Sequence, residues 1–344
     1  MDKLLWQKVE PLFYQAAVLP LAQREHFIDQ ACNGDNELCQ ALRLLLANEG
    51  HTGQLQNMLA SEAASLLADQ QDLSGEVLGP YKLLRQLGRG GMGTVYLAER
   101  ADKQFEKQVA IKLISTTLIN PLLLHAFRTE RQILADLEHE AISRLLDGGT
   151  TADGMPYLVM EYVKGEPIDQ YCAERKLSLT ALLQLFVKVA AAVAFAHQKM
   201  VVHCDIKPSN ILINQRGEPK LLDFGIARLL NRATGTETAK DTKQLGLTLN
   251  YASPEQKQAK ALSALSDVYA LGLVLQLLVA NSTRSDVRWI IQRALQPEPA
   301  RRYQSVSALA DDIKRFLGKH PIQARPNSWW YRSQMFVRRH TASS

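Results

Sequence analysis

The chain has 344 residues, of which 46% are hydrophobic and 22% charged, with a formal net charge of +5. That length and apolar content sustain two or three compact units with a buried core, and disorder is not the default expectation. No uncharged apolar run reaches the roughly 18 residues of a membrane span, and residues 1–13, with Asp2 and Glu10 around a short apolar stretch, do not read as a signal peptide.

Residues 1–78 carry four basic and eleven acidic residues and read as a helical accessory region. Leu5, Val9, Leu12, Phe13 and Ala16 recur at helical spacing until Pro20. Phe27, Ile28 and Ala31 mark a second helix, Leu38, Leu42, Leu45 and Leu46 a third, and Leu55, Leu59, Ala63 and Leu66 a fourth. No catalytic constellation lies there. Asp72 to Gly75 and Gly79-Pro80 then read as a linker. Beyond it, residues 81–87 and 94–98 read as strands around a glycine turn, and 109–114 as a further strand. A helix over 122–137 and a strand over 157–162 follow. From Leu179 onward apolar helices dominate, notably 179–197 and 267–279. The expected class is α+β, with a strand-rich small lobe before a helical large lobe. Lys314 to Ser344 holds seven Lys or Arg and no acid, which reads as a solvated basic end or as a surface for an acidic partner, a membrane headgroup layer or the chain's own acidic N-terminal region. No nucleic-acid-reading motif accompanies that charge, so no nucleic acid is expected. Cys32, Cys39, Cys172 and Cys204 form no C-x-x-C pair; zinc is not expected, and scattered thiols fit a reducing cytoplasm.

Three stretches carry chemistry. The first is Leu87 to Val95, in which Gly88, Gly90 and Gly93 make G-x-G-x-x-G with Gly91 between them. Glycines let backbone approach phosphates closely. A dinucleotide fold uses the same letters but opens a helix, whereas a strand follows here, so the stretch reads as a hairpin flap. The second is Val109-Ala110-Ile111-Lys112, ending in a cation 19 residues after Gly93. Such a lysine on phosphates needs a carboxylate to hold it, and Glu130 on the following helix is the candidate. The third runs from His203 to Leu212. There Asp205 can accept or orient a hydroxyl proton, Lys207 can neutralise charge on a moving phosphoryl group, and Asn210 can hold a metal through its amide oxygen. Eighteen residues after Asp205 stands Asp223-Phe224-Gly225, whose carboxylate can bind Mg²⁺ bridging phosphates. His203 reads as a packed structural histidine.

In this order and spacing the motifs resemble the Hanks-type protein kinases, most closely the bacterial serine/threonine kinases, over about residues 81–318. The resemblance implies a bilobal kinase fold, ATP as phosphoryl donor, and Mg²⁺, with Mn²⁺ as a substitute. It also implies protein substrates bearing Ser or Thr, with autophosphorylation among them. It places Met160 beside adenine, offers backbone hydrogen bonds from Glu161 and Val163, and sandwiches the ring between Val95, Ala110 and Leu212. Ser253-Pro254-Glu255 matches the end of the activation segment, with Arg302 as the partner of Glu255. Asp267 would tie the catalytic loop from below, and Thr248 would contact Lys207 and Asp205. Residues 1–78 look like the helical leader of some proteobacterial members.

The chain also departs from the family. Cys204 stands where most members carry an arginine that binds activation-loop phosphate, so Ala at any one of Thr234, Thr236, Thr238 or Thr242 is expected to lower activity only mildly. Leu247 replaces a usual glycine. Only 35 residues separate Asp267 from Arg302, so a helix and loop common in the family are missing. Residues 319–344, with Trp329, Trp330, Tyr331 and Phe336 among arginines, look like the segment before a membrane span in larger relatives, and either meet a membrane surface or fold back on the large lobe. The leading reading is an active kinase. A nucleotide-binding pseudokinase scaffold is the alternative, and a small-molecule phosphotransferase a third.

Overall fold

The computed structural model describes residues 12, 16, 27–28, 31–32, 38–39, 72–90, 93–101, 107–114, 136–151, 154–224, 250–258, 260–280 and 284–325. The chain divides into two compact units, Met1–Gln71 and Asp72–Ser344. In the first unit, the described residues Leu12, Ala16, Phe27, Ile28, Ala31 and Leu38 are helical, with Ala16, Ile28 and Leu38 buried. The other apolar positions assigned to its helices lie outside the described residues, as does the helix expected over 122–137 up to residue 135.

The second unit opens on a sheet. Strands β1 (Val77–Leu78), β2 (Tyr81–Gly90), β3 (Gly93–Arg100), β4 (Gln108–Ile114), β5 (Leu145–Thr150) and β6 (Pro156–Glu161) pair antiparallel in the order β1-β2-β3-β4-β6-β5. β1 joins a stretch that the sequence reads as the end of the helical region. It pairs Leu78 with Tyr81 across a turn whose Gly79 takes φ +56°, a left-handed value suited to glycine. Tyr81, Leu83, Tyr96, Ala98, Val109, Ile111, Leu113 and Val159 form the core of this lobe. Alternating side chains of β2 and β3 supply one face, whereas β4, at the sheet's centre, is buried along nearly its whole length.

The large lobe is helical around a small second sheet. The strands β7 (Gly165–Pro167), β8 (Ile211–Asn214) and β9 (Pro219–Leu221) run antiparallel in that order. The helices are α1 (Ile168–Glu174), α2 (Leu179–Gln198), α3 (Pro254–Lys257), α4 (Ala264–Leu278), α5 (Ser285–Ala294) and α6 (Val306–Leu317). Serines set the starts of four of them: Ser178, Ser253, Ser263 and Ser305 each accept a hydrogen bond from a first-turn N–H, a cap worth about 1 kcal/mol apiece. Helix α2 is long and apolar enough to cross a membrane by composition, yet Phe186, Val189, Ala190 and Val193 are wholly buried among α4 and α6 side chains. Its one lysine, Lys188, faces out to Glu218 at 2.7 Å.

The connection between α4 and α5 is only residues 279–284. The two helices pack tightly: a Cβ on Gly272 would come within 2.9 Å of Ala294 and Leu295. A short link and a glycine contact thus close the lobe where the sequence lacks a helix. Past α6, residues 320–325 fold back on the lobe. The buried Asp312 carboxylate accepts from the Tyr303 hydroxyl and from the backbone N–H groups of Gln323 and Ala324, and Arg325 meets Asp286 at 3.1 Å. The aromatic stretch from Trp329 to Phe336 lies outside the described residues.

Candidate active site

Between the two sheets lies a cleft of about 550 Å³, a size ordinary for a small-molecule site. Its upper wall is the β2–β3 hairpin with Leu87, Gly88, Gly90, Gly93 and Val95. Its back is Ala110 and Lys112 of β4 and Met160, Glu161 and Val163 at the end of β6, and its floor is Asp205, Lys207, Asn210, Leu212 and Asp223. Of the candidate site residues, only Gly91 and Glu130 are absent from these walls; both lie outside the described residues, as do Thr248, Leu247, Gly225 and the threonines at 234, 236, 238 and 242.

The glycines divide by role. Gly93 has φ +133°, and a Cβ there would sit 1.8 Å from the Leu113 carbonyl oxygen, so the crossing of β3 on β4 requires glycine. At Gly88 and Gly90 a Cβ would meet nothing within 4 Å. Packing does not require glycine at those two places; what bareness provides there is access to the cleft.

Lys112 is 5% exposed, with its Nζ 2.8 Å from Asp223 Oδ2. The expected partner was Glu130, but the carboxylate that meets this lysine among the described residues belongs to Asp223. Burial pushes the Asp223 carboxyl up, but Lys112 outweighs that and holds it below the ordinary range, with smaller help from His203 and Lys207. Asp223 is therefore an anion at neutral pH. Its φ of +58° is a left-handed value rare outside glycine, and such backbone strain persists where surrounding contacts enforce it.

The stretch before β8 builds the floor. Asp205 lies 2.9 Å from Lys207 Nζ, and its backbone oxygen and Oδ2 both accept from Asn210 Nδ2, at 2.8 and 3.0 Å. With its nitrogen so committed, Asn210 keeps its amide oxygen without a hydrogen bond among the described residues, and Asp223 Oδ1 is likewise unbonded there. Two oxygen donors on one cleft floor suit a hard cation completed by phosphate and water oxygens. Among the described residues no group of three or more His, Cys, Asp or Glu side chains forms a self-sufficient metal cage.

His203 is fully buried, packs at a tilt against Phe224 with ring centres 4.5 Å apart, and bonds the Leu222 carbonyl through Nε2. It is structural, as its sequence context suggests. Asp267, also fully buried, accepts from the His203 and Cys204 N–H groups and meets His197 at 2.8 Å. It thus ties the loop from α4.

The hinge at the end of β6 differs in detail from expectation. The Glu161 N–H donates to the Arg144 carbonyl and its carbonyl accepts the Ser143 hydroxyl. Its carboxylate pairs with Lys220 at 2.8 Å. The Val163 backbone N–H and C=O, in contrast, make no hydrogen bond among the described residues, so Val163 is the better-placed hinge contact. Sequence reasoning missed Lys220. A lysine flanked by two buried residues on β9, three before Asp223, was the available signal. It also missed Gln256, whose buried amide lies between Ser253 and Cys204.

Residues 81–317 match the family model described as protein kinase domain. The chain is 36% identical over 269 residues to the serine/threonine-protein kinase PrkC of Bacillus subtilis, covering 69% of this chain and 40% of that protein. It is 31% identical over 278 residues to the serine/threonine-protein kinase PknB of Mycobacterium tuberculosis, covering 71% and 44%. It thus spans less than half the length of these curated relatives. The crystal structure of the Mycobacterium tuberculosis PknI kinase domain superposes with a TM-score of 0.55 at 26% identity, over 70% of this chain and 98% of that domain. Fold, cleft and relatives agree: the chain belongs to the protein kinase family, among the Hanks-type serine/threonine kinases of bacteria.

Proposed function

We propose that this chain transfers the γ-phosphoryl group of ATP to serine and threonine hydroxyls of proteins, its own included. The observation that carries the reading is the meeting of Lys112, Asp205, Lys207, Asn210 and Asp223 on one cleft, although 111 residues separate the Lys112–Asp223 pair. The glycine hairpin covers the phosphates, and Val95, Ala110 and Leu212 enclose the base below Met160. Lys112 places its charge on the phosphates. Asp223 and Asn210 offer the oxygens that would hold Mg²⁺, which supplies neutralisation of phosphate charge when bound. Asp205 receives the acceptor hydroxyl in line and takes its proton, while Lys207 offsets the charge spread over the moving group. Catalysis on this plan is positioning and electrostatic stabilisation.

The finer parts of the reading rest on sequence. A cytoplasmic location is supported by the scattered cysteines, and contact of the basic tail with an acidic surface by that tail's composition alone. The test is incubation of the full chain with γ-labelled ATP, Mg²⁺ and a generic protein substrate, beside Asp205→Asn. Label on protein that disappears in the variant supports the proposal. Nucleotide binding without transfer contradicts it in favour of a scaffold, and label found only on a metabolite contradicts it in favour of a small-molecule phosphotransferase.

A further inference from the structure

Asp205 follows Cys204, and Cys204 carries the backbone strain of the loop: its φ is +65° in a side chain that is neither glycine nor exposed. A residue so placed keeps its conformation only if its peptide groups are held. Its N–H is held by Asp267 Oδ1 at 2.9 Å, a bond that comes from α4. Its carbonyl is held by Gln256 Nε2 at 2.7 Å, a bond that comes from α3, in a different part of the chain. Gln256 is 5% exposed, and its other amide atom, Oε1, accepts from the Ser253 N–H at 2.9 Å. The adjoining Glu255 is fixed by Arg302 through two hydrogen bonds. Gln256 therefore has both ends committed and stands, buried, on a rigid base.

We propose that Gln256 is a positioning residue for phosphoryl transfer: it grips the Cys204 carbonyl and so sets the direction in which Asp205 meets the acceptor hydroxyl. The inference rests on the kinase reading of the cleft. An arginine at position 204 would hold its loop through a charged side chain that awaits an anionic partner. Cys204 has no such side chain, and the neutral amide of Gln256 holds the backbone itself. Gln256 does not line the cleft and makes no hydrogen bond to Lys112, Asp223 or Val163 among the described residues, so the two functions separate in kinetics.

The test compares the full chain with Gln256→Glu and Gln256→Met, using labelled ATP, Mg²⁺ and a generic protein substrate. Gln256→Glu keeps the volume and the acceptor for the Ser253 N–H but turns an oxygen toward the Cys204 carbonyl. Gln256→Met loses both bonds. Expected is a fall in kcat of about tenfold or more in both, with KM for ATP unchanged within about twofold. Amide hydrogen exchange at residues 203–206 should quicken in both. Lowering the pH toward 5 protonates the introduced carboxylate and restores a donor, so Gln256→Glu should recover activity relative to Gln256→Met. Taking the ratio to Gln256→Met removes the pH dependence that the two variants share. Wild-type kcat in Gln256→Glu, or a KM for ATP that rises as kcat falls, overturns the inference. If Gln256→Met does not fold, the kcat and exchange of Gln256→Glu decide alone. Wild-type chain that transfers no label brings down the kinase reading, and this inference with it; active wild type beside unimpaired variants brings down this inference only.

Discussion

Replacing Arg302 with methionine should weaken the fold by an amount that depends on pH in a calculable way. The Arg302 guanidinium is 1% exposed and makes five hydrogen bonds: two to the Glu255 carboxylate at 2.7 and 2.8 Å, and one each to the carbonyls of Gln296, Leu265 and Pro297. Ser266 adds a further bond to Glu255 at 2.8 Å. Burial alone would push the Glu255 carboxyl up, but the bonds from Arg302, a backbone N–H and Ser266 outweigh it and bring the pKa from 4.5 down to about 2. That difference corresponds to about 3 kcal/mol of folding stability. Because the folded-state pKa lies below the unfolded one, this contribution is complete above about pH 4.5 and fades as pH falls toward about 2. In Arg302→Met the carboxylate stays buried without its partner, at a cost of about 3–5 kcal/mol at neutral pH. Burial, then opposed only by the backbone and Ser266 hydrogen bonds, raises the carboxyl pKa relative to the wild type, so the deficit narrows on acidification as the carboxyl becomes neutral. Urea denaturation of both proteins between pH 7.5 and 4 reads the difference directly. The deficit should be largest at pH 7 and shrink toward acid. A deficit that stays constant over this range, or one below about 1 kcal/mol at pH 7, would refute the reasoning.

Gly93→Ala should disrupt the hairpin, since the added methyl would lie 1.8 Å from the Leu113 oxygen at a φ of +133°; ATP affinity is expected to fall by about tenfold or more, read by calorimetric titration. Lys220→Ala removes a partly buried ion pair from the hinge but spares the Ser143 and Arg144 bonds to Glu161. We expect a stability loss of no more than about 1 kcal/mol and a KM for ATP raised by less than about fivefold, seen in melting curves and initial rates. Ending the chain after Leu317 strips Asp312 of two backbone donors and leaves a buried carboxylate with only the Tyr303 hydroxyl. Stability should drop by about 2–4 kcal/mol, and a chain ending after Arg325 should recover most of it in urea titrations.

The site was legible from the sequence because its groups sit in short motifs whose residue types have few other uses together. Lys112, Asp205, Asn210 and Asp223 reach one cleft as their order implied, and the hairpin nature of the glycine stretch followed from the strand residues after Gly93. Among the described residues, the strands expected over 81–87, 94–98, 109–114 and 157–162 and the helices expected over 179–197 and 267–279 were found within a few residues, since their apolar periods are strong. Short elements escaped. The strands β7, β8 and β9 have three or four residues each, too few to show alternation, and β5 carries Gly148 and Gly149 where strand formers are expected. Contacts made by one polar side chain on a distant backbone also leave no pattern. The sequence could not show that Gln256 reaches Cys204, 52 positions away, or that Lys220 meets Glu161, 59 positions away. Nor could it show that the Glu161 backbone is occupied by Ser143 and Arg144, because that follows from how β6 turns into the hinge.

The central claim is that the side chains of Lys112, Asn210 and Asp223 share one metal-bound triphosphate while Asp205 faces the acceptor. A crystal structure of the chain with Mg²⁺ and a non-hydrolysable ATP analogue tests it most directly. The account predicts metal on the free oxygens of Asp223 and Asn210, Lys112 Nζ within hydrogen-bonding distance of the phosphates, and the terminal phosphate turned toward Asp205. Nucleotide bound elsewhere, or bound in the cleft with its phosphates away from Asp205 and Asp223, would contradict it.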